Sequence, residues 1–340
     1  METNENSNAC DSSENAANEA FLVQSFYRFF HLEEERLIEV KRALETKAEQ
    51  LGVGGLLIIA NEGINGTIAG TNNSSSLFIN FLLDNSDSSI AALSHSDKLG
   101  AWNVKEARSE DFPFRRFKIK RREEIVTSGD ETIDARSSSE HLSPEEWDRM
   151  ISENPDLTLL DTRNWYETEI GKFRGAIDPK LNNFQEFTDF VLKSSPPKDK
   201  PVLMYCTGGI RCEKASLQMK SLGYEKVYQL KGGILKYFEK VGRGLYEGDC
   251  LVFDKRVAVD PNLKPTGEYV FCPHCGQPGK EKITCDNCQT EAKICHRCSE
   301  KPFKSTCSKN CANQLQFKAE RAKENRAKEN SARTKDSLMA

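Results

Sequence analysis

VLMYCTGGIRCEK, residues 202–214, is the stretch of sequence that decides how the central part of the chain folds. Its first residues are apolar or aromatic and predict a buried strand that ends at Cys206, and a helical pattern begins just after Arg211. Glycine adopts positive φ angles without a steric penalty, so the glycines between these elements let the chain curl around the sulfur atom. The loop that forms this cradle consists of Thr207, Gly208, Gly209 and Ile210.

The cradle predicts an ionised thiol at Cys206. Backbone N–H groups that point into such a loop bind an anion, and the positive end of the following helix and the guanidinium of Arg211 strengthen the attraction. Surroundings of this kind lower the pKa of a cysteine from about 8.5 to roughly 3.5–7.5. They would hold a persulfide anion equally well. We therefore expect Cys206 and Arg211 to be catalytic residues; the alternative is an inert cysteine buried at a strand end.

The size of the loop restricts the chemistry further. Four residues separate Cys206 from Arg211, one fewer than in the related cradle of tyrosine phosphatases. A smaller loop fits one outer sulfur atom better than a phosphate dianion. The spacing therefore favours sulfur or redox chemistry over phosphate hydrolysis.

Residues 143–260 alternate strands with helices. Ser143 is a good helix N-cap, Pro144 suits the first helical position, and Glu146 completes a capping box. Strand-like segments at 157–160, 201–205 and 227–230 alternate with helix-like segments at 184–192 and 213–222. This order predicts an α/β domain with a parallel sheet, whose ligands bind at the carboxyl ends of the strands, where Cys206 lies.

Residues 21–126 follow a different order, βαββαβ. A strand at 25–30 precedes a helical pattern that ends at Gly52, and the apolar run 56–60 with the turn-rich NEGINGT at 61–67 predicts a hairpin. A second helix around 77–82 and strand candidates at 102–107 and 116–126 complete the domain. The order indicates a ferredoxin-like α+β domain.

The remaining composition limits the class of protein. Residues 1–20 contain five acidic and no basic side chains, which is typical of a disordered leader and not of a targeting signal, and residues 127–142 are predicted to be a linker. No segment approaches the roughly 18–20 consecutive apolar residues of a membrane span. With 52 acidic against 48 basic residues, any nucleic acid must bind to a local patch. We expect the protein in the reducing cytoplasm, where clustered cysteines bind metal more often than they form disulfides.

The carboxyl-terminal part of the chain predicts a metal-binding module at 268–311, followed by a charged tail at 312–340. Eight of the twelve cysteines fall there in four close pairs, the arrangement by which thiolates reach one zinc ion at about 2.3 Å. The expected ligands are Cys272, Cys275, Cys285, Cys288, Cys295, Cys298, Cys307 and Cys311. Two structural zinc sites follow, with sequential or interleaved pairing left open. The alternatives are disulfides, an iron–sulfur cluster, or a ligand role for His274 or His296; the module could also bind a protein partner.

Several separated motifs resemble known families. LLDTRNWYE at 159–167 and GKFRGAI at 171–177, together with the Cys206 loop, resemble a rhodanese domain. NEGINGT, PFRRFKIKRREEIV at 113–126, QLKGGILKY at 229–237 and GDCLVFDKR at 248–256 extend the match, so that residues 21–260 resemble the tRNA uridine hydroxylase family, TrhO. The cysteine-rich segment departs from the shorter members of that family.

This resemblance implies an enzyme that hydroxylates the wobble uridine of tRNA at C5 with molecular oxygen, giving 5-hydroxyuridine. It also implies that Cys206 is the reactive centre, as a thiolate or a persulfide, and that Arg211 orients it; the electron donor is left open. Two alternative hypotheses remain. One is a thiosulfate-type sulfurtransferase or persulfide carrier that uses the same cysteine, and the other is a binding scaffold.

Further residues have supporting roles in this hypothesis. Cys212 is either a resolving thiol or a small buried helix residue. Asp161 and Arg163 match the rhodanese motif and are expected to brace the loop through an ion pair. Cys250 lies in a family motif, and burial explains it equally well.

A substrate tRNA needs a basic surface and a stacking partner for its base. A strand over 116–122 would place four cations on one face, either to neutralise phosphates or to act as a solvated edge that prevents aggregation. These cations are Arg116, Lys118, Lys120 and Arg122. A wobble base must be unstacked before it reacts, and Trp165 and Tyr166 are candidates for stacking against it.

Overall fold

The computed structural model describes residues 20–83, 90, 102–130, 132–135 and 140–338, with side chains as far as residue 328. Of the predicted leader, residues 1–19 lie outside this range. The chain forms two compact units that divide between Ile125 and Val126. Within the described residues, no helix combines the length and the apolar character that crossing a membrane requires.

The first unit contains the predicted ferredoxin-like domain. Its elements are β1 (Phe21–Phe29), α1 (Glu34–Leu51), β2 (Gly54–Ala60), β3 (Gly63–Gly70), α2 (Asn72–Leu83), β4 (Asn103–Ser109) and β5 (Phe117–Arg121). The sheet order is β4-β1-β3-β2-β5. The first four strands pair antiparallel in the order of a ferredoxin-like sheet, and β5 adds a parallel edge strand beside β2.

The core of this unit lies between the sheet and its two helices. On α1, buried apolar residues recur at helical spacing and face the sheet at Phe26, Ile59 and Ile64. Gly52 ends the helix in the left-handed conformation, with φ 64° and ψ 30°, which glycine adopts without strain. The predicted helix stop is therefore confirmed.

The second unit begins with the α/β domain. Its elements are β6 (Glu140–Leu142), α3 (Pro144–Glu153), β7 (Thr158–Asp161), α4 (Trp165–Thr168), β8 (Gly171–Phe173), α5 (Phe187–Ser194), β9 (Val202–Tyr205), α6 (Ile210–Ser221), β10 (Val227–Leu230), α7 (Gly233–Val241), β11 (Tyr246–Gly248), β12 (Cys250–Leu251) and β13 (Ala258–Val259).

A parallel sheet in the order β6-β10-β9-β7 forms the centre of this domain, as predicted. One apolar cluster, which includes Trp147 and Phe173, covers one face, and another, which includes Phe187 and Met219, covers the other. The capping box forms: Ser143 Oγ accepts from the Glu146 N–H at 3.2 Å, and Glu146 Oε2 accepts from the Ser143 N–H at 2.8 Å.

The predicted linker at 127–142 needs one correction. Its last residues, Glu140–Leu142, form the edge strand β6 and pair with β10. This strand is short and polar, and it is held by main-chain hydrogen bonds that leave no side-chain pattern in the sequence.

The cysteine-rich segment consists of two small hairpins and two helices. Its elements are β14 (Val270–Phe271), β15 (Pro278–Gly279), β16 (Glu281–Thr284), β17 (Glu291–Ile294), α8 (His296–Ser299) and α9 (Lys309–Leu338). β14 pairs with β15 and β16 with β17. The segment predicted as a charged tail is therefore helical as far as Leu338.

Candidate active site and metal centres

Cys206 lies at the carboxyl end of β9, with its side chain 0% exposed. Gly209 has φ 98°, a conformation that favours glycine, and its N–H donates to the Cys206 sulfur at 3.0 Å. The Arg211 N–H, in the first turn of α6, donates to the same sulfur. The loop thus curls around the sulfur, although only Gly209 of the two glycines uses a positive φ.

A second helix holds the outer side of this loop. At the start of α7, the N–H of Ile234 donates to the Cys206 carbonyl at 3.0 Å and the N–H of Leu235 to the Thr207 carbonyl at 3.1 Å. Because the loop carbonyls face these amides, the loop N–H groups are free to face the sulfur. Gly233 permits the close approach: a Cβ there would lie 2.5 Å from the Cys206 carbonyl oxygen. The sequence patterns did not predict that Gly233 lets α7 support the loop. The paired glycines in QLKGGILKY were the feature that could have indicated it.

Glu167 of α4 holds the side chain of Arg211. Two short hydrogen bonds join them, Nη1 to Oε2 at 2.6 Å and Nη2 to Oε1 at 2.8 Å, and Thr207 Oγ1 donates to the same carboxylate at 3.2 Å. The carboxylate is fully buried, and although burial opposes its ionisation, Arg211 lowers the pKa of Glu167. The guanidinium therefore acts on Cys206 through its charge while its hydrogen bonds go to Glu167 and Thr207.

The surroundings of Cys206 favour the ionised form of its thiol. Burial opposes ionisation, but a hydrogen bond from the Cys212 thiol, the charge of Arg211 and the N–H groups of Arg211 and Gly209 outweigh it and lower the pKa to about 5. The surroundings thus stabilise an anionic sulfur, the form that acts as a nucleophile.

The two other buried thiols near the loop are protonated. Burial and the neighbouring Cys206 thiolate raise the pKa of Cys212 well above its ordinary value, so Cys212 is a hydrogen-bond donor; its sulfur also lies 3.6 Å from Thr162 Oγ1. Burial raises the pKa of Cys250 to about 12. Cys250 faces Thr207, a proximity that its position in the sequence does not reveal.

Asp161 and Arg163 form a buried ion pair beneath the site. Arg163 Nη2 donates to Asp161 Oδ2 at 2.7 Å and to the Gly171 carbonyl at 2.6 Å, and both side chains are 0% exposed. The guanidinium also lies 5.6 Å from the ring centre of Tyr205, the last residue of β9. These contacts fix the strand that carries Cys206, and the guanidinium of Arg163 donates to Asp161, Tyr246 and the Gly171 carbonyl.

The eight clustered cysteines form two groups, each placed to bind one metal ion. The first group is Cys272, Cys275, Cys295 and Cys298, and the second is Cys285, Cys288, Cys307 and Cys311. Within each group the sulfur atoms lie within 4.8 Å of one another. The pairing is therefore interleaved, which spacing alone had left open.

The sulfur geometry fits a tetrahedral metal. The Cys275–Cys295 sulfur distance is 3.5 Å, and in the second group Cys307 lies 3.6 Å from both Cys288 and Cys311. A metal–sulfur bond of about 2.3 Å gives tetrahedral sulfur–sulfur distances of about 3.8 Å. Neither histidine joins a group: His274 Nε2 lies 2.8 Å from the Thr306 carbonyl, and His296 pairs with Glu300.

The candidates for base stacking differ in their availability. The ring of Trp165 is covered, because the guanidinium carbon of Arg297 lies 3.3 Å from its centre and the residue is only 6% exposed. Tyr166 is half-buried, and its hydroxyl accepts from Asn164 Nδ2 at 2.7 Å. The ring of Trp165 thus stacks on a side chain of the same unit and is not available to a base.

The predicted basic face belongs to the first unit. Lys118 is exposed and Lys120 half-buried on the edge strand β5, while Ile119 is buried in the core. Arg116 and Arg122 flank the strand and are exposed. The four cations therefore follow the open edge of the ferredoxin-like sheet.

Comparison with known proteins gives matches along most of the chain. The family described as UPF0176 acylphosphatase like domain matches residues 21–125, the Rhodanese-like domain matches 143–240, and the family described as Rhodanase C-terminal matches 247–312.

Curated relatives match over similar lengths. A protein of Bdellovibrio bacteriovorus named tRNA uridine(34) hydroxylase is 43% identical over 302 residues, which are 87% of this chain and 82% of that protein. Proteins of the same name from Rhizobium leguminosarum and Picosynechococcus are 43% and 41% identical, over 79% and 76% of this chain and 86% and 83% of their own lengths.

Proposed function

This chain belongs to the tRNA uridine(34) hydroxylase family, and from that premise we propose that it hydroxylates C5 of the wobble uridine of tRNA to give 5-hydroxyuridine. The observation that carries the proposal is the 43% identity to a protein of that name over 87% of the chain. In the overall reaction one atom of dioxygen replaces the C5 hydrogen as a hydroxyl group. The other atom leaves as water, with two electrons and two protons from an external reductant.

We place the reaction at Cys206. Support comes from its lowered pKa of about 5, which supplies a thiolate without a general base. The inward N–H group of Gly209 also suits the outer sulfur of a persulfide, which carries the same charge. Arg211, held by Glu167, contributes the positive charge that keeps the sulfur ionised.

The test is nucleoside mass spectrometry of tRNA from cells that lack the gene and carry plasmid-borne variants. The wild-type chain is expected to restore 5-hydroxyuridine, and Cys206→Ala to leave it absent. Cys250→Ala is the matched control, because this second buried thiol has a pKa of about 12 and stays protonated. Restoration by Cys206→Ala would overturn the proposal.

The sulfurtransferase alternative uses the same thiolate and gives a different product. Rapid formation of thiocyanate from thiosulfate and cyanide by the purified protein, together with unchanged 5-hydroxyuridine in cells, would favour that activity. The scaffold alternative predicts that neither product depends on Cys206.

We infer that each sulfur group binds one zinc ion. Four thiolates at tetrahedral spacing are the donor set of structural zinc sites, which contribute folding free energy and have no open position for a substrate. Metal analysis of the purified chain is expected to give two zinc ions per molecule. Iron in place of zinc, with the visible absorption of a cluster, would contradict this assignment.

We propose that the phosphates of tRNA contact the basic edge formed by Arg116, Lys118, Lys120 and Arg122. Support comes from the exposure of Lys118 on an edge strand and of Arg116 and Arg122 at the two ends of that strand. Contacts with phosphates release counterions, so affinity falls as salt concentration rises.

A further inference from the structure

The first sulfur group is connected to the active site by a direct contact. Arg297 lies in α8, between the ligand positions Cys295 and Cys298, and its guanidinium carbon is 3.3 Å from the ring centre of Trp165. A guanidinium stacked on a tryptophan ring is among the most favourable cation–π pairs, because the face of the indole ring is electron-rich. The cysteine-rich module thus touches α4.

α4 carries the carboxylate that holds Arg211. Trp165 is the first residue of this four-residue helix and Glu167 the third, so a displacement of Trp165 moves Glu167 with it. Glu167 in turn accepts from Arg211 and Thr207 on either side of the sulfur cradle. The contact therefore leads to Cys206 through the stacked ring, the short helix α4, the hydrogen bonds between Glu167 and Arg211, and the charge of Arg211.

A second contact joins the same surfaces. Tyr166 and Ile170, in and just after α4, pack with Leu251 and Ala258 and with Tyr269, the residue that precedes β14. This apolar cluster holds the module against α4. The position of α8 is set at its ends, where Cys295 and Cys298 belong to the first sulfur group.

We propose that Arg297 is a positioning residue of the Cys206 site and that a metal ion bound by the first sulfur group keeps it on Trp165. Four thiols bound to one ion fix both ends of α8, and therefore the direction of the Arg297 side chain. The inference rests on the proposed role of Cys206 as the reactive centre. It adds that the cysteine-rich module contributes to catalysis as well as to folding.

The test measures the ionisation of Cys206 in the full-length, metal-loaded protein. Iodoacetamide is the probe, applied across a pH series, and the modified cysteine is quantified by mass spectrometry in the tryptic peptide 199–211, which contains Cys206 and no other cysteine. The pH midpoint of alkylation reports the pKa of Cys206. This pKa rises when Arg211 is held less closely to the sulfur. This readout needs neither tRNA nor oxygen.

Arg297→Ala is expected to raise the midpoint by about 0.7 unit, which corresponds to a roughly five-fold change in the ionisation constant and to a cation–π contact of ordinary strength. Arg297→Lys keeps the charge but not the planar stack, and an intermediate shift is expected. His296→Ala is the matched control: it lies in the same helix, is exposed, and pairs with the exposed Glu300. A wild-type midpoint in Arg297→Ala, or an equal shift in His296→Ala, would overturn the proposal.

The contribution of the metal is tested by Cys275→Ser, which removes an exposed ligand of the first group. We expect metal analysis to give one ion per chain, and the midpoint to shift as in Arg297→Ala. The double variant is expected to shift no further, because both changes break the same connection. Additive shifts would show that the metal acts by another route. A shifted midpoint in Arg297→Ala, together with 5-hydroxyuridine that persists in cells carrying Cys206→Ala, would support the positioning role and refute the proposed reaction at Cys206 alone.

Discussion

Replacing Gly233 by alanine places a methyl group against the backbone of the Cys206 loop. The added Cβ would lie 2.5 Å from the Cys206 carbonyl oxygen, 2.7 Å from the Gly209 nitrogen and 2.7 Å from the Thr207 carbonyl oxygen. Backbone atoms cannot move aside as the end of a flexible side chain can, so the loop and the start of α7 must separate. Gly233 also has φ +66°, which strains any residue with a Cβ.

These two effects set the expected loss of stability. The left-handed backbone costs alanine about 1–2 kcal/mol, and overpacking of this kind costs a further ~1–3 kcal/mol. We therefore expect Gly233→Ala to lower the free energy of unfolding of the second unit by about 2–5 kcal/mol. We also expect the pKa of Cys206 to rise from about 5, since a displaced loop moves the Gly209 N–H away from the sulfur.

Urea unfolding and the pH dependence of alkylation measure these two effects. Gly267→Ala is the matched control, because Gly267 has nearly the same φ, +67°, lies in the same unit and has no atom within 4 Å of the added Cβ. The expected loss of unfolding free energy in Gly267→Ala is the cost of the left-handed backbone alone, about 1–2 kcal/mol. If Gly233→Ala is no more destabilising than this control and its Cys206 titrates as in the wild type, the reasoning about the loop is wrong.

Four further expectations follow from the described contacts. The folded pKa of Cys206 lies below that of an unfolded cysteine, so its thiolate contributes stability above about pH 8.5 that is lost as the pH falls toward 5; the difference in unfolding free energy between wild type and Cys206→Ala should therefore shrink as the pH falls from about 8.5 to about 5. Glu167→Gln leaves Arg211 buried without its carboxylate and should cost about 3–5 kcal/mol in urea unfolding, whereas a cost below 1 kcal/mol would contradict the buried ion pair. His274→Ala should keep two bound metal ions by elemental analysis, since this side chain is outside both sulfur groups. Lys118→Ala should reduce the slope of tRNA affinity against salt concentration by about one, and an unchanged slope would place the RNA elsewhere.

Local patterns in the sequence determined a large part of this protein. The residues around Cys206 specify a strand, a tight loop and a helix by their own conformational preferences, so the cradle could be predicted from 13 consecutive residues. The helix stop at Gly52 and the capping box at Ser143 are equally local. The close cysteine pairs indicated two metal sites, because each pair has the spacing with which a turn brings two sulfur atoms together.

The tertiary structure decided what depends on residues that are distant in sequence. It determined that the sulfur groups interleave, that the amides of α7 support the loop, and that Arg297 covers Trp165 instead of leaving it to a base. Such contacts depend on how whole elements pack, and the same side chain in the same local sequence can face several partners. Periodicity and spacing predict which residues form an element, whereas the partner of each element is fixed only when the complete chain has folded.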